Sequence, residues 1–271
     1  MAEAGADEIR AKYGSPMFAL LTSCWGEHLH MGIFESPDEA LAPATERACA
    51  MMADDAAVGP GTVVCEVACG IGGSSRYLAR RGARVEASNI SPEQVATADA
   101  LNRDAGLADR IVTREADYHD LPYGDGWADA YWNVEALLYT DDKKRVLEEG
   151  ARMLRPGGRL IVSDLTMDEA TPPAEREDLA SRVGAHHYWS VARYDALVAD
   201  LGYRVEKRAV LSHFVEPTFA RVTASMLANR QAFSARVGAE PVEAACFRLE
   251  MQRRFGEMGW LGWYYTVLRP A

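Results

Sequence analysis

Between residues 62 and 164, short apolar runs alternate with stretches in which apolar positions recur every three or four residues. That alternation predicts strands joined by crossover helices in a parallel sheet. The runs TVVCEV, RVEAS, RIVTREA, ADAYWNV and RLIVSDL supply five strands in chain order. Residues 73–81 and 141–154 read as helices, and Ser91-Pro92-Glu93-Gln94 opens another, with a capping serine ahead of proline at the first helical position. RPGG, directly after residue 154, marks the end of its helix.

Beyond residue 164 the pattern loosens. A helix is predicted over 191–201 and a sixth strand at RVEKRAVL. Two helices follow over 216–255 with a break near 238–241, and GWLGWYYTVLRP forms a last strand. The segments 165–190 and 213–258 interrupt the strand succession, so they are expected to cover a sheet edge or the mouth of a site. The 271 residues fit one domain, with 1–58 as an N-terminal helical cover and 59–164 as the core.

A net charge of −11 argues against a nucleic-acid partner, which would require a basic surface. Cys24, Cys49, Cys65, Cys69 and Cys246 form no CxxC pair, and no spacing suggests a metal site, so metal-independent chemistry is expected. No window approaches the roughly 20 apolar residues of a membrane span. The acidic start MAEAGADE lacks the apolar core of a secretory signal. Free thiols and these absences suit a cytoplasmic protein that acts on a small molecule without a membrane partner. The cover segments are surfaces through which a homo-oligomer could form.

The stretch CEVACGIGGSS, Cys65 to Ser75, places glycines between the first strand and its helix, where ligands bind in open parallel sheets. On these residues alone, a nucleotide site and a plain tight turn are both open. A dinucleotide fingerprint would want G-x-G-x-x-G and an acid about 20 residues on. Here residue 75 is serine, Glu66 precedes the loop and Asn89 ends the second strand. An acid in front of the loop repels a pyrophosphate and favours a cation.

Together, EVACGIGGSSRYLA, ASNISPEQV, ADYHDLP, WNVEALLY and ARMLRPGGRLIVSDL resemble the class I S-adenosylmethionine-dependent methyltransferases over nearly the whole chain. The resemblance implies an α/β, Rossmann-like, seven-stranded, mostly parallel sheet with an antiparallel last strand between the fifth and sixth. It implies S-adenosylmethionine as cofactor. Glu66 would hold the amino end of the donor, Gly70 and Gly72 would let the backbone approach, and Asn89 and Gln94 would serve the ribose. Asp117 would accept from the adenine amino group, Tyr118 would flank the ring, and Asn133 would complete the donor edge. Most of the family carries an acid where this chain has Asn89.

CWGEHLHMGIF, residues 24–34, is similar to the W-G-x-x-x-H-x-G segment of natural-product, tocopherol-like and sarcosine or dimethylglycine methyltransferases. In those relatives it folds over the donor, so Trp25, His28, His30 and Met31 would close the pocket against water. Glu135 resembles the acid of a W-N-x-E motif in isoprenoid C-methyltransferases, where it stabilises a carbocation and removes a proton. Glu135 is therefore the candidate base or cation stabiliser, or a helix-start acid. Of the adjacent histidines, His187 is the candidate base for a hydroxyl acceptor. Tyr188 and Trp189 are expected as acceptor walls. C-methylation of a small, largely apolar natural product is the favoured reading. N-methylation of sarcosine or dimethylglycine, with Arg182 or Arg193 clamping the carboxylate, and O-methylation are the rivals. A non-catalytic donor-binding module is the remaining alternative.

Overall fold

The computed structural model describes residues 2–270. Its helices are α1 (Ala2–Tyr13), α2 (Pro16–Trp25), α3 (Leu41–Asp55), α4 (Gly73–Arg80), α5 (Pro92–Asp104), α6 (Lys143–Met153), α7 (Pro173–Val183), α8 (Val191–Asp200), α9 (Val215–Val237) and α10 (Ala239–Glu257). The strands are β1 (Val63–Val67), β2 (Arg84–Asn89), β3 (Ile111–Glu115), β4 (Ala128–Val134), β5 (Leu154–Met167), β6 (Arg204–Val210) and β7 (Leu261–Arg269).

All seven strands join one sheet in the order β3-β2-β1-β4-β5-β7-β6. The five runs expected from the alternation form its parallel part, and β7 enters antiparallel to both β5 and β6. Strand order reverses between β1 and β4, which opens a crevice at their carboxyl ends. Local chemistry sets the helix starts that border this crevice. Ser91 Oγ accepts from the Gln94 amide at 3.3 Å, with Pro92 next to it, and Ser15 caps α2 in the same way.

Three apolar clusters hold the fold. One sheet face packs against α3 and α4 through Cys49, Met52, Leu78, Trp132 and Tyr265. The other packs against α6 and α8 through Tyr131, Val146, Leu147 and Tyr194. A third cluster joins the end of β5 and the start of β7 to α2, α7, α9 and α10, through Leu20, Leu165, Leu179, Phe219, Leu249 and Trp263. It roofs the crevice. Among the described residues, no helix is long and apolar enough to cross a membrane.

Two local features differ from the sequence reading. RPGG does not separate helix from strand: β5 begins at Leu154, paired with Ala128, and resumes with Arg159 opposite Ala130. The early pair captures the chain before the turn, and Gly157, at φ +85°, absorbs the irregularity inside the strand. The segment over 165–190 is expected from the sequence as an inserted helical cover set apart from the strands. It extends β5 to Met167 and then forms α7, which ends on the left-handed Gly184. The break between α9 and α10 falls at Gly238, φ +90°.

Candidate active site

The glycines after β1 are used in three different ways. Gly70, at φ +57°, lines the cavity, and a Cβ there would come 3.2 Å from Leu29 Cδ1. Gly72 is the left-handed cap of α4. Its missing side chain faces Arg76 and Asn102 beneath the loop, and Gly72 does not line the cavity. At Gly73 a Cβ would lie 1.9 Å from the Glu27 carbonyl oxygen. Here glycine admits the WGEH segment, and Gly73 also lines the cavity. Buried Arg76 ties the two segments together, donating to Glu27 Oε1 at 2.8 Å and to the Ile71 carbonyl at 2.7 Å.

The loop forms one wall of a cavity of about 950 Å³ at the carboxyl ends of β1, β2 and β4. That is the upper end of the ~300–1,000 Å³ common for small-molecule sites. Glu66, Gly70, Asn89, Gln94, Asp117 and Tyr118 line it together. Glu66 accepts from Ser75 Oγ, and burial raises its carboxyl to about 7. Asn89 donates to Gln94 Oε1 at 2.9 Å and accepts from the Ser91 amide at 2.9 Å. Asp117 Oδ1 accepts from the backbone amide and ring Nδ1 of His119, at 2.9 and 2.6 Å, which holds its carboxyl below the usual range. These residues offer carboxylates and amides but no cluster of basic groups, which suits a sulfonium-bearing nucleoside and does not suit a phosphate. Asn133 lies outside the cavity. It is fully buried in β4, with both amide atoms lacking a partner.

The far end is walled by Met17, Phe18, Leu21, Trp25, Phe219 and Leu249, with Trp25 edge-on to Phe219 at 5.9 Å. Glu135 projects between the two ends. Its backbone sits at φ +52°, a strained conformation for a side-chain-bearing residue, and its amide donates to the Ser163 carbonyl at 2.6 Å. The Met31 amide donates to Glu135 Oε1 at 2.7 Å. Burial, with repulsion from Asp164, raises the carboxyl to about 8. The WGEH segment thus fixes the acid and closes the cavity in one contact.

His187 also lines the cavity, its amide donating to the Leu138 carbonyl at 3.2 Å, and burial lowers its imidazole. Tyr188 and Trp189 do not line it. The Met167 amide donates to the Trp189 carbonyl at 3.0 Å, clamping this segment to the end of β5. Tyr188 is thereby buried in the roof core, and Trp189 lies under Arg193 at 4.3 Å. His28 is likewise buried outside the cavity, beside His30 and Tyr77. Arg182 pairs with Asp178, so neither arginine singled out as a clamp faces the site. Sequence reasoning missed Arg248. It lines the cavity from α10, burial lowers its guanidinium, and among the described residues it forms no ion pair. It also missed Lys12, Tyr13 and Phe18, although the Gly14-Ser15-Pro16 helix start was a visible signal.

Residues 65–162 match the methyltransferase domain model. The chain is 33% identical over 206 residues to the dimethylglycine N-methyltransferase of Parasynechococcus marenigrum (strain WH8102), covering 74% of each chain. A putative sarcosine dimethylglycine methyltransferase from Galdieria sulphuraria superposes with a TM-score of 0.85 at 23% identity, covering 94% of this chain and 98% of that one. Geranyl diphosphate C-methyltransferase from Streptomyces coelicolor A3(2), solved with S-adenosyl-L-homocysteine, Mg2+ and geranyl diphosphate, gives 0.77 at 18% identity, covering 98% of each. With the glycine loop and strand ends arranged as described, the chain belongs to the class I S-adenosylmethionine-dependent methyltransferases, and S-adenosylmethionine is its methyl donor.

Proposed function

We propose that this enzyme methylates a small, largely apolar organic acceptor, at carbon, with Glu135 as the base or cation stabiliser. The observation that carries the reading is the placement of Glu135: a half-buried carboxylate on the cavity wall, with one oxygen held by the Met31 amide and, among the described residues, no protein partner on the other. S-adenosylmethionine supplies an electrophilic methyl group on a sulfonium. Glu66 and the Gly70 backbone receive its amino-acid end, Asn89 and Gln94 its ribose, Asp117 and Tyr118 its adenine. Trp25, Met31 and Phe219 exclude water from the reacting centre. As the acceptor carbon gains the methyl group, positive charge develops beside Glu135, and Oε2 stabilises it and takes the departing proton. A bound sulfonium favours the ionised carboxylate that this step requires. His187, at the cavity wall, is the reserve base for a hydroxyl acceptor.

A second reading is favoured by Arg248. An unpaired guanidinium facing the acceptor end suits a carboxylate-bearing amine such as sarcosine or dimethylglycine. A methyl-deuterated donor, offered with apolar alkene, phenol and N-methyl amino acid panels and read by mass spectrometry, separates the readings. Transfer to carbon is expected. Label found only on amine nitrogen sinks the first reading in favour of the second, and label on hydroxyl oxygen assigns the base to His187 or Glu135 by substitution.

A further inference from the structure

We infer that His28, His30 and Cys49 form a transition-metal site, of the chemistry that takes zinc, between the WGEH segment and α3. Nothing in methyl transfer uses these three side chains as a set. One nitrogen of each ring and Cys49 Sγ all lie within 4.8 Å of one another, and all three residues are buried. The ring centroids are 5.2 Å apart. His30 Nδ1–H donates to the Met31 carbonyl at 2.9 Å, which fixes the tautomer and leaves the ring's lone pair on Nε2. That Nε2 has no hydrogen-bond partner, and neither has His28 Nδ1, though His30 and His28 are only 3% and 5% exposed. Two buried nitrogens without partners are expensive unless something satisfies them.

The donor set selects the ion. Two imidazoles and a thiolate are the borderline-soft ligands of zinc, with bonds of about 2.0–2.3 Å. Tetrahedral geometry asks for ligand separations of about 3.5 Å, so the widest pair closes by little more than 1 Å on binding. Binding breaks the Cys49 S–H bond and forms a sulfur–metal bond, and the proton goes to solvent. Both rings bind as neutral imidazoles through a ring-nitrogen lone pair. Because His30 also lines the cavity, a metal here sits at its wall rather than among the reacting groups. It pins the segment whose next residue, Met31, holds Glu135, and whose Glu27 meets Gly73.

The test is metal binding by the untagged, full-length protein after chelator treatment. Cobalt(II) titration is expected to saturate at one equivalent, with tetrahedral visible bands and a sulfur-to-cobalt charge-transfer band in the near ultraviolet. Zinc is expected to displace the cobalt and raise the melting temperature. C49S is expected to lose the charge-transfer band, and H28A to weaken cobalt binding at least 10-fold, each with donor binding used to show a folded site. No spectrum with the wild-type protein, or a wild-type spectrum without the sulfur band, overturns the proposal even if a variant fails to fold. A sulfur band that survives in C49S assigns the metal to another cysteine and overturns it equally.

Discussion

The two ends of the cavity are built differently. At the donor end the polar side chains that would hold the ligand are already tied to neighbouring loops: Glu66 with Ser75, Asn89 with Gln94 and Ser91, Asp117 with His119. At the acceptor end, among the described residues, Arg248 has no ion-pair partner and Glu135 keeps one oxygen unpaired, and the walls come from α2, α9 and α10. Pre-paired groups are pre-organised for one ligand. Unpaired groups beside an apolar wall wait for the acceptor to complete them, and there specificity is decided.

The largest effect should come from the residue that joins the ends. Glu135→Gln keeps an oxygen to accept from Met31 but removes the base. It should lower kcat by about 10²- to 10⁴-fold while calorimetry finds the donor affinity unchanged. An unchanged kcat would remove Glu135 from the chemistry. The wild-type rate should rise with pH as the carboxyl, raised to about 8 in the free enzyme, ionises, and this limb should vanish in the variant. Stability gives the opposite slope. An unfolded glutamate loses its proton near pH ~4.3 and the folded Glu135 near 8, so the native state loses stability as pH rises through that window and loses no more above it. Glu135→Gln should therefore raise the melting temperature more above pH 8 than below pH ~4.3.

The difference between the ends also decides what the sequence made legible. The donor end is local: a strand, a glycine turn and a helix cap place Glu66, Gly70 and Asn89 within 24 residues, so hydrophobic period and turn chemistry locate them. The sheet order and the antiparallel β7 were legible by family resemblance. The acceptor end depends on packing between segments far apart in the chain. Arg248 lies more than 100 residues from Glu135, and nothing in its own surroundings on α10 marks it as facing a cavity. Tyr188 and Trp189 show the converse. Their composition suited a pocket wall, but the backbone bridge between Thr166 and Trp189 commits that segment to the sheet.

Two intermediate effects should separate the ends cleanly. Glu66→Ala should weaken donor binding by about 1.5–3 kcal/mol, a 10- to 150-fold loss, leaving the KM for the acceptor nearly unaltered at saturating donor. Arg248→Met, nearly isosteric in its stem, should do the reverse. It should raise the acceptor KM about 5- to 30-fold if the acceptor carries a carboxylate, and leave the donor affinity alone. Isothermal calorimetry for the donor and initial rates for the acceptor read the two halves independently. A donor defect in Arg248→Met would show that the ends are not separable.

The smallest effect should fall on the cover rather than on either end. Lys12 Nζ donates to the Val183 carbonyl at 2.7 Å and to Tyr139 Oη at 3.2 Å, and lies 4.6 Å from the centre of the Tyr139 ring. It thereby fastens α1 to the end of α7 across the cavity mouth. Part of this site is open to solvent, so its contribution is about 0.5–1.5 kcal/mol. Lys12→Met keeps the apolar stem and removes the charge and its donors. Because the cover touches neither reacting group, the variant should release donor about 2- to 10-fold faster by stopped-flow fluorescence, with little change in single-turnover chemistry. A slower chemical step with unchanged release would place Lys12 in the acceptor end after all, and would move the boundary between the two halves from Glu135 out to α1.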